Sequence, residues 1–124
     1  ITLQLKGTNI VHMLKKKQKD TLELIDDIIQ RDYCKNISLS SLAEKFYMNK
    51  EYISRSYKKR YGIGVTSHIN KLRMEQAKIL LSYGYPIYKV SELIGYNNVN
   101  YFSRIFKRSY NITPTEYIEN IYKL

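Results

Sequence analysis

The sequence predicts an all-α fold of seven helices, arranged as two similar units joined by one long helix. Three observations carry this reading. From Thr21 onward apolar residues recur at helical spacing, and no stretch alternates as a strand would. Residues that start and stop helices punctuate the chain at regular places, with Ser38, Asn49 and Thr113 suited to N-caps and Gly62, Gly84 and Gly95 suited to ends. One unusual string is also written twice: YISRSYKKRYGI at 52–63 returns as YFSRIFKRSYNI at 101–112.

Residues 1–19 have no clear period, and their KKKQK run reads as a solvated linker or a short frayed helix. The chain begins at Ile1 without a methionine, so this stretch is expected to be a leader from a missing upstream region. The first helix is expected over about 20–34, with Leu22, Ile25, Ile28 and Ile29 on one face and acidic residues early, as the helix dipole prefers. Ser38 caps the second, whose inner face is Leu39, Leu42, Ala43 and Phe46. After a break at YMN, Asn49 caps the third, about 50–61, with Ile53, Tyr57 and Tyr61 inward; Gly62 sits where a left-handed residue is wanted. The fourth runs from about 65 to 82. Its main stripe is Ile69, Leu72, Ala77 and Leu80, widened by Met74 and Leu81. YGYP stops it, and Pro86 opens the fifth, which takes Ile87, Val90 and Ile94 and closes at Gly95. Asn97 or Asn98 caps the sixth, about 99–110, with Phe102, Ile105, Phe106 and Tyr110 inward. TPTE at 113–116 starts the seventh, with Thr113 as cap, Pro114 first and Glu116 closing a capping box; it buries some of Tyr117, Ile118, Ile121 and Tyr122.

The chain has 124 residues, enough for one domain or two small subdomains, and its 44% apolar content supports a packed core. No apolar run reaches the roughly 18 residues of a membrane span. A single cysteine, Cys34, excludes an intramolecular disulfide and a cysteine-cluster metal site; it reads as a small hydrophobe at a helix end and fits a reducing compartment. The formal net charge is +10. Residues 1–44 nearly balance, whereas residues 45–108 hold thirteen basic side chains against Glu51, Glu75 and Glu92. The whole surplus therefore lies across the two copies of the repeated string. Such a field favours a polyanion over a neutral partner.

The copies align at an offset of 49 from Tyr52 onward and 48 before it, because the second turn is one residue longer. Tyr52, Ser54, Arg55, Lys58, Tyr61 and Ile63 recur as Tyr101, Ser103, Arg104, Lys107, Tyr110 and Ile112. Gly62 matches Asn111, the next-best residue for a left-handed turn. Each copy is a short helix, a tight turn and a longer basic helix, the helix-turn-helix plan whose second helix enters the major groove. Arg55 and Lys58, like Arg104 and Lys107, are three apart and off the apolar face. An ordinary solvated charge explains one such pair; the same pair in both copies favours a shared role.

The pattern resembles the AraC/XylS family of bacterial transcription regulators over about residues 20–122. The residues that carry the resemblance are SLAEKFYMNKEYISRSYKKRYGIG, then HINKLRMEQAKILL, then PIYKVSELIGYNNVNYFSRIFKRSYNITPTEY. The second unit is the more specific, through Gly95-Tyr96, Tyr101-Phe102-Ser103-Arg104, Phe106-Lys107 and Thr113-Pro114. The resemblance implies a DNA-binding domain with a first helix-turn-helix unit over 20–63, a linker helix over 64–83 and a second unit over 84–124. It implies base reading by Lys50, Glu51, Ser54 and Arg55 in the first unit and by Val99, Asn100, Ser103 and Arg104 in the second. Lys58, Lys59, Asn98, Lys107 and Arg108 would lie by phosphates. Arginine can bind guanine bidentately, asparagine can do so to adenine, and valine can touch a thymine methyl. The implied partner is double-stranded DNA carrying a bipartite site, its elements about one helical turn apart. RNA polymerase is a further implied partner. The isolated domain is expected to be a monomer in the cytoplasm, associated with the nucleoid. It is expected to need no cofactor or metal and to do no chemistry.

Three positions depart from the pattern. Glu51 puts an acid on a face meant for a polyanion, where it either accepts from a cytosine amino group or pairs with Arg55. Ser91 replaces a small apolar residue. Tyr47 stands where the second copy has Gly95, so a differently shaped first turn is expected. Two other classes compete with specific DNA reading: a protein that coats nucleic acid without reading it, and a basic module for an acidic protein partner. His12 has no neighbour in sequence to make a site, and His68 aligns with Tyr117 as a core or boundary residue. Most of the thirteen tyrosines are expected in the core rather than stacked on unpaired bases. No phosphate-cradling loop, carboxylate pair or nucleophile motif occurs. One cysteine cannot supply the multi-cysteine methyl acceptor that accompanies related units in DNA repair.

Overall fold

A computed structural model describes residues 18–123. The leader expected over 1–19, with His12 and most of its lysines, lies outside the described residues apart from its last two positions. Within them are seven helices and no strand: α1 Thr21–Asp32, α2 Leu39–Lys45, α3 Lys50–Tyr61, α4 Val65–Ser82, α5 Ile87–Leu93, α6 Val99–Tyr110 and α7 Pro114–Ile121.

Local chemistry explains where each begins. Asp20 caps α1, accepting from the Glu23 N–H at 2.9 Å, so the helix starts one residue later than expected. It ends at Asp32, short of the expected 34, where Lys35 N–H turns back to the Asp32 carbonyl at 2.9 Å. Ser38 and Asn49 cap α2 and α3 as expected. Asn98, not Asn97, caps α6, its side-chain oxygen accepting from Asn100 and Tyr101 N–H. Thr113 caps α7, but the Glu116 carboxylate accepts from the Thr113 hydroxyl rather than from its backbone, so the expected capping box is not closed.

The helices build two cores on one rod. Ile25 and Ile29 of α1, Leu42 of α2, Ile53 and Tyr57 of α3, and Val65 and Ile69 of α4 form the first. Met74, Ala77 and Leu81 of α4 join Val90, Ile94, Tyr96, Phe102, Ile105 and Phe106 in the second. Each fully buried large apolar side chain contributes about 1.5–3 kcal/mol. The expected stripe on α4 shifts accordingly: Met74 and Leu81 lie at the centre of the buried face, while Leu72 and Leu80 pack at its margins. A stripe that must serve two neighbours in succession turns around the rod.

The tyrosines overturn one expectation. Tyr57 and Tyr96 are buried, but Tyr47, Tyr52, Tyr83, Tyr85, Tyr88, Tyr101 and Tyr122 are exposed, which is most of the thirteen. Tyr83, Tyr85 and Tyr88 fall in and after the α4–α5 turn, where the phenol hydroxyl tolerates water and the backbone reverses too sharply to bury them. His68 is a boundary residue as expected. Its Nδ1 lies 2.7 Å from the Tyr57 hydroxyl, which donates to Asp26 Oδ1 at 2.7 Å. This trio ties α3 to α1 and α4. Burial, reinforced by the Asp26 bond, pushes the Tyr57 phenol far above its ordinary range, so it stays a donor. Cys34 is a half-buried free thiol beside the second core.

Candidate nucleic-acid interface

The sequence repeat is a repeat in space as well. α2 and α5 each have seven residues, at an offset of 48; α3 and α6 each have twelve, at an offset of 49. The turn before each longer helix closes with the same two bonds. Tyr47 and Gly95 N–H reach Glu44 and Glu92 carbonyls at 3.2 Å, and Met48 and Tyr96 N–H reach Ala43 and Ser91 carbonyls at 2.9 Å. Both pivot residues have positive φ, 52° for Tyr47 and 105° for Gly95. Both turns thus share a positive-φ pivot held by the same two bonds, with tyrosine taking the first and glycine the second. Their shapes differ: the pivot angles are unequal, and the first turn runs over 46–49 against 94–98 in the second. Each longer helix ends alike, on Gly62 (φ 76°) and Asn111 (φ 64°), whose N–H groups bond to Lys58 and Lys107 carbonyls. Ser91 is buried, and its hydroxyl donates to the Tyr96 carbonyl at 3.3 Å, which accounts for a polar residue there.

Burial of Ile53 and Tyr57 fixes one face of α3 to the core, and burial of Phe102, Ile105 and Phe106 fixes one face of α6. The opposite faces are what remains. On α3, Lys50, Glu51, Arg55, Lys58 and Lys59 are exposed and Ser54 is half-buried. On α6, Val99, Asn100, Arg104, Lys107 and Arg108 are exposed, with Asn98 at the cap and Ser103 half-buried. Lys50, Glu51, Ser54 and Arg55 line one shallow groove together with Leu39 of α2. The sequence pattern places Leu39 on the inner face alone; as the first residue of α2 it also borders the open side. The second set occupies the matching positions of α6, on the other unit.

The cations differ in how far they are committed. Arg60 is held by two bonds to Asp20, at 2.6 and 2.8 Å, so it serves the fold. No ion pair among the described residues engages Lys50, Arg55, Lys58, Lys59, Arg104, Lys107 or Arg108. Glu51 forms no ion pair with Arg55 either, which removes the internal explanation for that acid among the described residues. The Arg104 guanidinium lies 5.8 Å from the Tyr101 ring centroid, an aromatic floor that limits its reach. Tyr52 and Tyr101 are both partly exposed beside these sets. Their recurrence in the repeated string is the sequence signal that points to this shared placement. The Asn98 side-chain oxygen is occupied by its capping bonds, so only its amide N–H₂ remains as a donor.

Two helix-turn-helix units with exposed, uncommitted cations on their second helices define the DNA-binding domain of a transcription regulator. A family model described as a helix-turn-helix domain matches residues 42–120. The chain belongs to this family, that of the AraC-type DNA-binding domains. It is 39% identical to the C-terminal domain of the two-component response regulator YesN from Fusobacterium nucleatum, with a TM-score of 0.73 over 78% of this chain and 96% of that one. It is 30% identical to the C-terminal domain of AraT, a response regulator from Geobacillus stearothermophilus, with a TM-score of 0.76 over 84% of this chain and 88% of that one. It is also 33% identical, over 77% of its length, to the HTH-type transcriptional regulator YijO of Escherichia coli. The chain spans 34% of that relative's length. The family is one of DNA-binding domains rather than enzymes, and no helix among the described residues is long and apolar enough to cross a membrane.

Proposed function

We propose that this chain reads a bipartite duplex site as a monomeric, two-headed module. The units over 20–63 and 84–124, joined by the linker helix over 64–83, set α3 and α6 in successive major grooves on one side of the DNA. The observation that carries this is the duplicated geometry: two asparagine-capped, twelve-residue basic helices, each backed by its own core, on a single shared rod. The rod α4 has 18 residues and is about 27 Å long at 1.5 Å per residue. Successive major grooves on one side are about 34 Å apart, a span the rod and the width of the two units together match. The copies are direct repeats with unlike reading faces, so the site consists of two unlike elements and needs no palindrome.

In this reading Lys50, Glu51, Ser54 and Arg55 address one element, and Val99, Asn100, Ser103 and Arg104 the other. Glu51 accepts from a cytosine amino group. Lys58, Lys59, Lys107, Arg108 and the Asn98 amide hold phosphates. Within a transcription regulator the module would work on promoter DNA in the cytoplasm, where RNA polymerase is the machinery it meets.

Sites selected from random duplex DNA would give the two elements. Gel-shift titration then uses operators with zero, five and ten base pairs inserted between them. Five pairs turn one element about half a helical turn to the opposite face, so binding should drop toward that of one unit. Ten should not restore it, because the rod has a fixed length. Equal binding to all three would refute the two-headed reading.

A further inference from the structure

A charged side chain is buried at the place where the two units meet. Arg73, near the middle of α4, is 7% exposed. No carboxylate pairs with it among the described residues. Its Nε–H donates to the Tyr33 carbonyl at 2.6 Å and its Nη2 to the Lys35 carbonyl at 2.9 Å. Both carbonyls belong to the turn that ends α1, where the helix dipole already favours a cation. The same guanidinium lies 4.9 Å from the centroid of the Tyr96 ring, in the α5–α6 turn of the other unit. A Cβ on Gly95 would come 3.1 Å from Arg73 Cζ and Nη2, and 2.8 Å from the Cys34 carbonyl oxygen. The Tyr96 hydroxyl in turn donates to Asn70 Oδ1, also on α4. Residues 33–35 of the first unit, Arg73 of the rod and residues 95–96 of the second thus close on one another without room for a methyl group.

This joint stands out because the units share little else. Every extensive helix pairing lies within one unit or involves α4 itself. A single rod fixes the axis between two bodies but resists bending and twist only through its own stiffness. A second strut across the joint would remove that freedom. The guanidinium suits such a strut, because it is always charged and its planar fork can hold two carbonyls at fixed angles while its face meets a ring. A lysine offers a point charge with no fork.

We propose that Arg73 is a positioning residue that locks the angle between the two reading heads and so sets the base-pair spacing the domain accepts. The spacing part rests on the bipartite reading above; the rigidity part does not. Rigid coupling concentrates the second head over its element, so loosening the joint should lower affinity at the best spacing and flatten the penalty at neighbouring ones.

The test uses Arg73→Lys, which keeps the charge and loses the fork, and Arg73→Met, which keeps the length and loses both, each checked for native helix content by circular dichroism. Backbone amide dipolar couplings of the DNA-free protein should fit one alignment tensor for both units in the parent, and two unequal tensors in each folded variant. On DNA, one base pair inserted or removed between the elements should cost the parent about tenfold and the variants less than about threefold, with single-element duplexes bound within about twofold by all three proteins. If a folded variant keeps a single tensor and the parent's spacing profile, Arg73 does not position the heads and the proposal falls. If the variants lose the common tensor while the parent itself ignores spacing, the rigid joint stands and the bipartite reading fails. Loss of single-element binding in step with the loss on the full site would mark Arg73 as a general stabiliser and overturn the positioning role. Should one variant fail to fold, the other decides by the same criteria.

Discussion

Raising the salt concentration fourfold should weaken specific binding by about two to four orders of magnitude, and the structure sets that range. Seven cations on α3 and α6 are exposed and free of ion pairs among the described residues: Lys50, Arg55, Lys58, Lys59, Arg104, Lys107 and Arg108. Arg60 is not counted, because Asp20 already holds it. If only the four assigned to phosphates (Lys58, Lys59, Lys107 and Arg108) displace counterions, the slope of log K against log salt is about −4. If all seven do, it is about −6. Between about 50 and 200 mM sodium chloride these slopes correspond to losses of roughly 250-fold and 4,000-fold. Fluorescence anisotropy of a labelled operator, titrated at several salt concentrations, gives the slope directly. The joint change Lys58→Ala and Lys107→Ala should flatten it by about 2. A parent slope flatter than about −2, or a double variant with an unaltered slope, would refute the assignment of these helices to the phosphate backbone.

Arg55→Ala and Arg104→Ala should each cost about 1–3 kcal/mol on the best site and relax preference in different halves of it, as read by repeated site selection. Both should leave the circular dichroism spectrum unchanged, because both side chains are exposed. Phe106→Ala removes a fully buried ring that meets Phe102, Tyr110 and Tyr117, so urea denaturation should show a loss of about 3–5 kcal/mol. Acid should destabilise the fold. The Glu23 N–H, and then Arg60, hold the Asp20 carboxyl below its ordinary 3.8, and the bond from Arg31 does the same for Asp32. Groups with lowered folded values contribute fully above the ordinary carboxylate range and lose that contribution as pH falls through the lowered values. Melting temperature should therefore decline below about pH 4, and less so in Asp20→Asn, which has no carboxylate to protonate.

How much could be read in advance divides along physical lines. Helix ends set by a local side-chain bond were readable, because Ser38, Asn49 and Thr113 act within three residues of themselves. The spare faces of α3 and α6 were readable because their apolar positions left only one way to face. Arg73 was not, since its partners lie 38 and 40 residues away in sequence. A hint did exist: Ile69, Arg73 and Ala77 fall at i, i+4 and i+8, so the arginine sits on the buried stripe. A charge there demanded a partner, and none stood nearby in sequence. The tyrosines misled for the opposite reason, because an amphipathic ring satisfies an apolar pattern whether or not it is covered. Tyr47 was not readable as a left-handed pivot because side-chain identity does not by itself dictate backbone, and tyrosine accepts that conformation at some cost in strain.

That same turn makes the duplicated halves unequal in what they can tolerate. Tyr47 is 96% exposed, so its ring answers to nothing inside the molecule, and other side chains willing to take a positive φ could replace it. Asparagine is the obvious one, at no loss of packing. Its counterpart Gly95 has no such latitude, because the space beyond its Cα is already filled by the Cys34 carbonyl and Arg73. The copy farther from the start of the chain is thus the frozen one, pinned by its role in joining the halves. The earlier copy keeps a display position at the mouth of its reading helix, where novelty can be tried without risk to the scaffold.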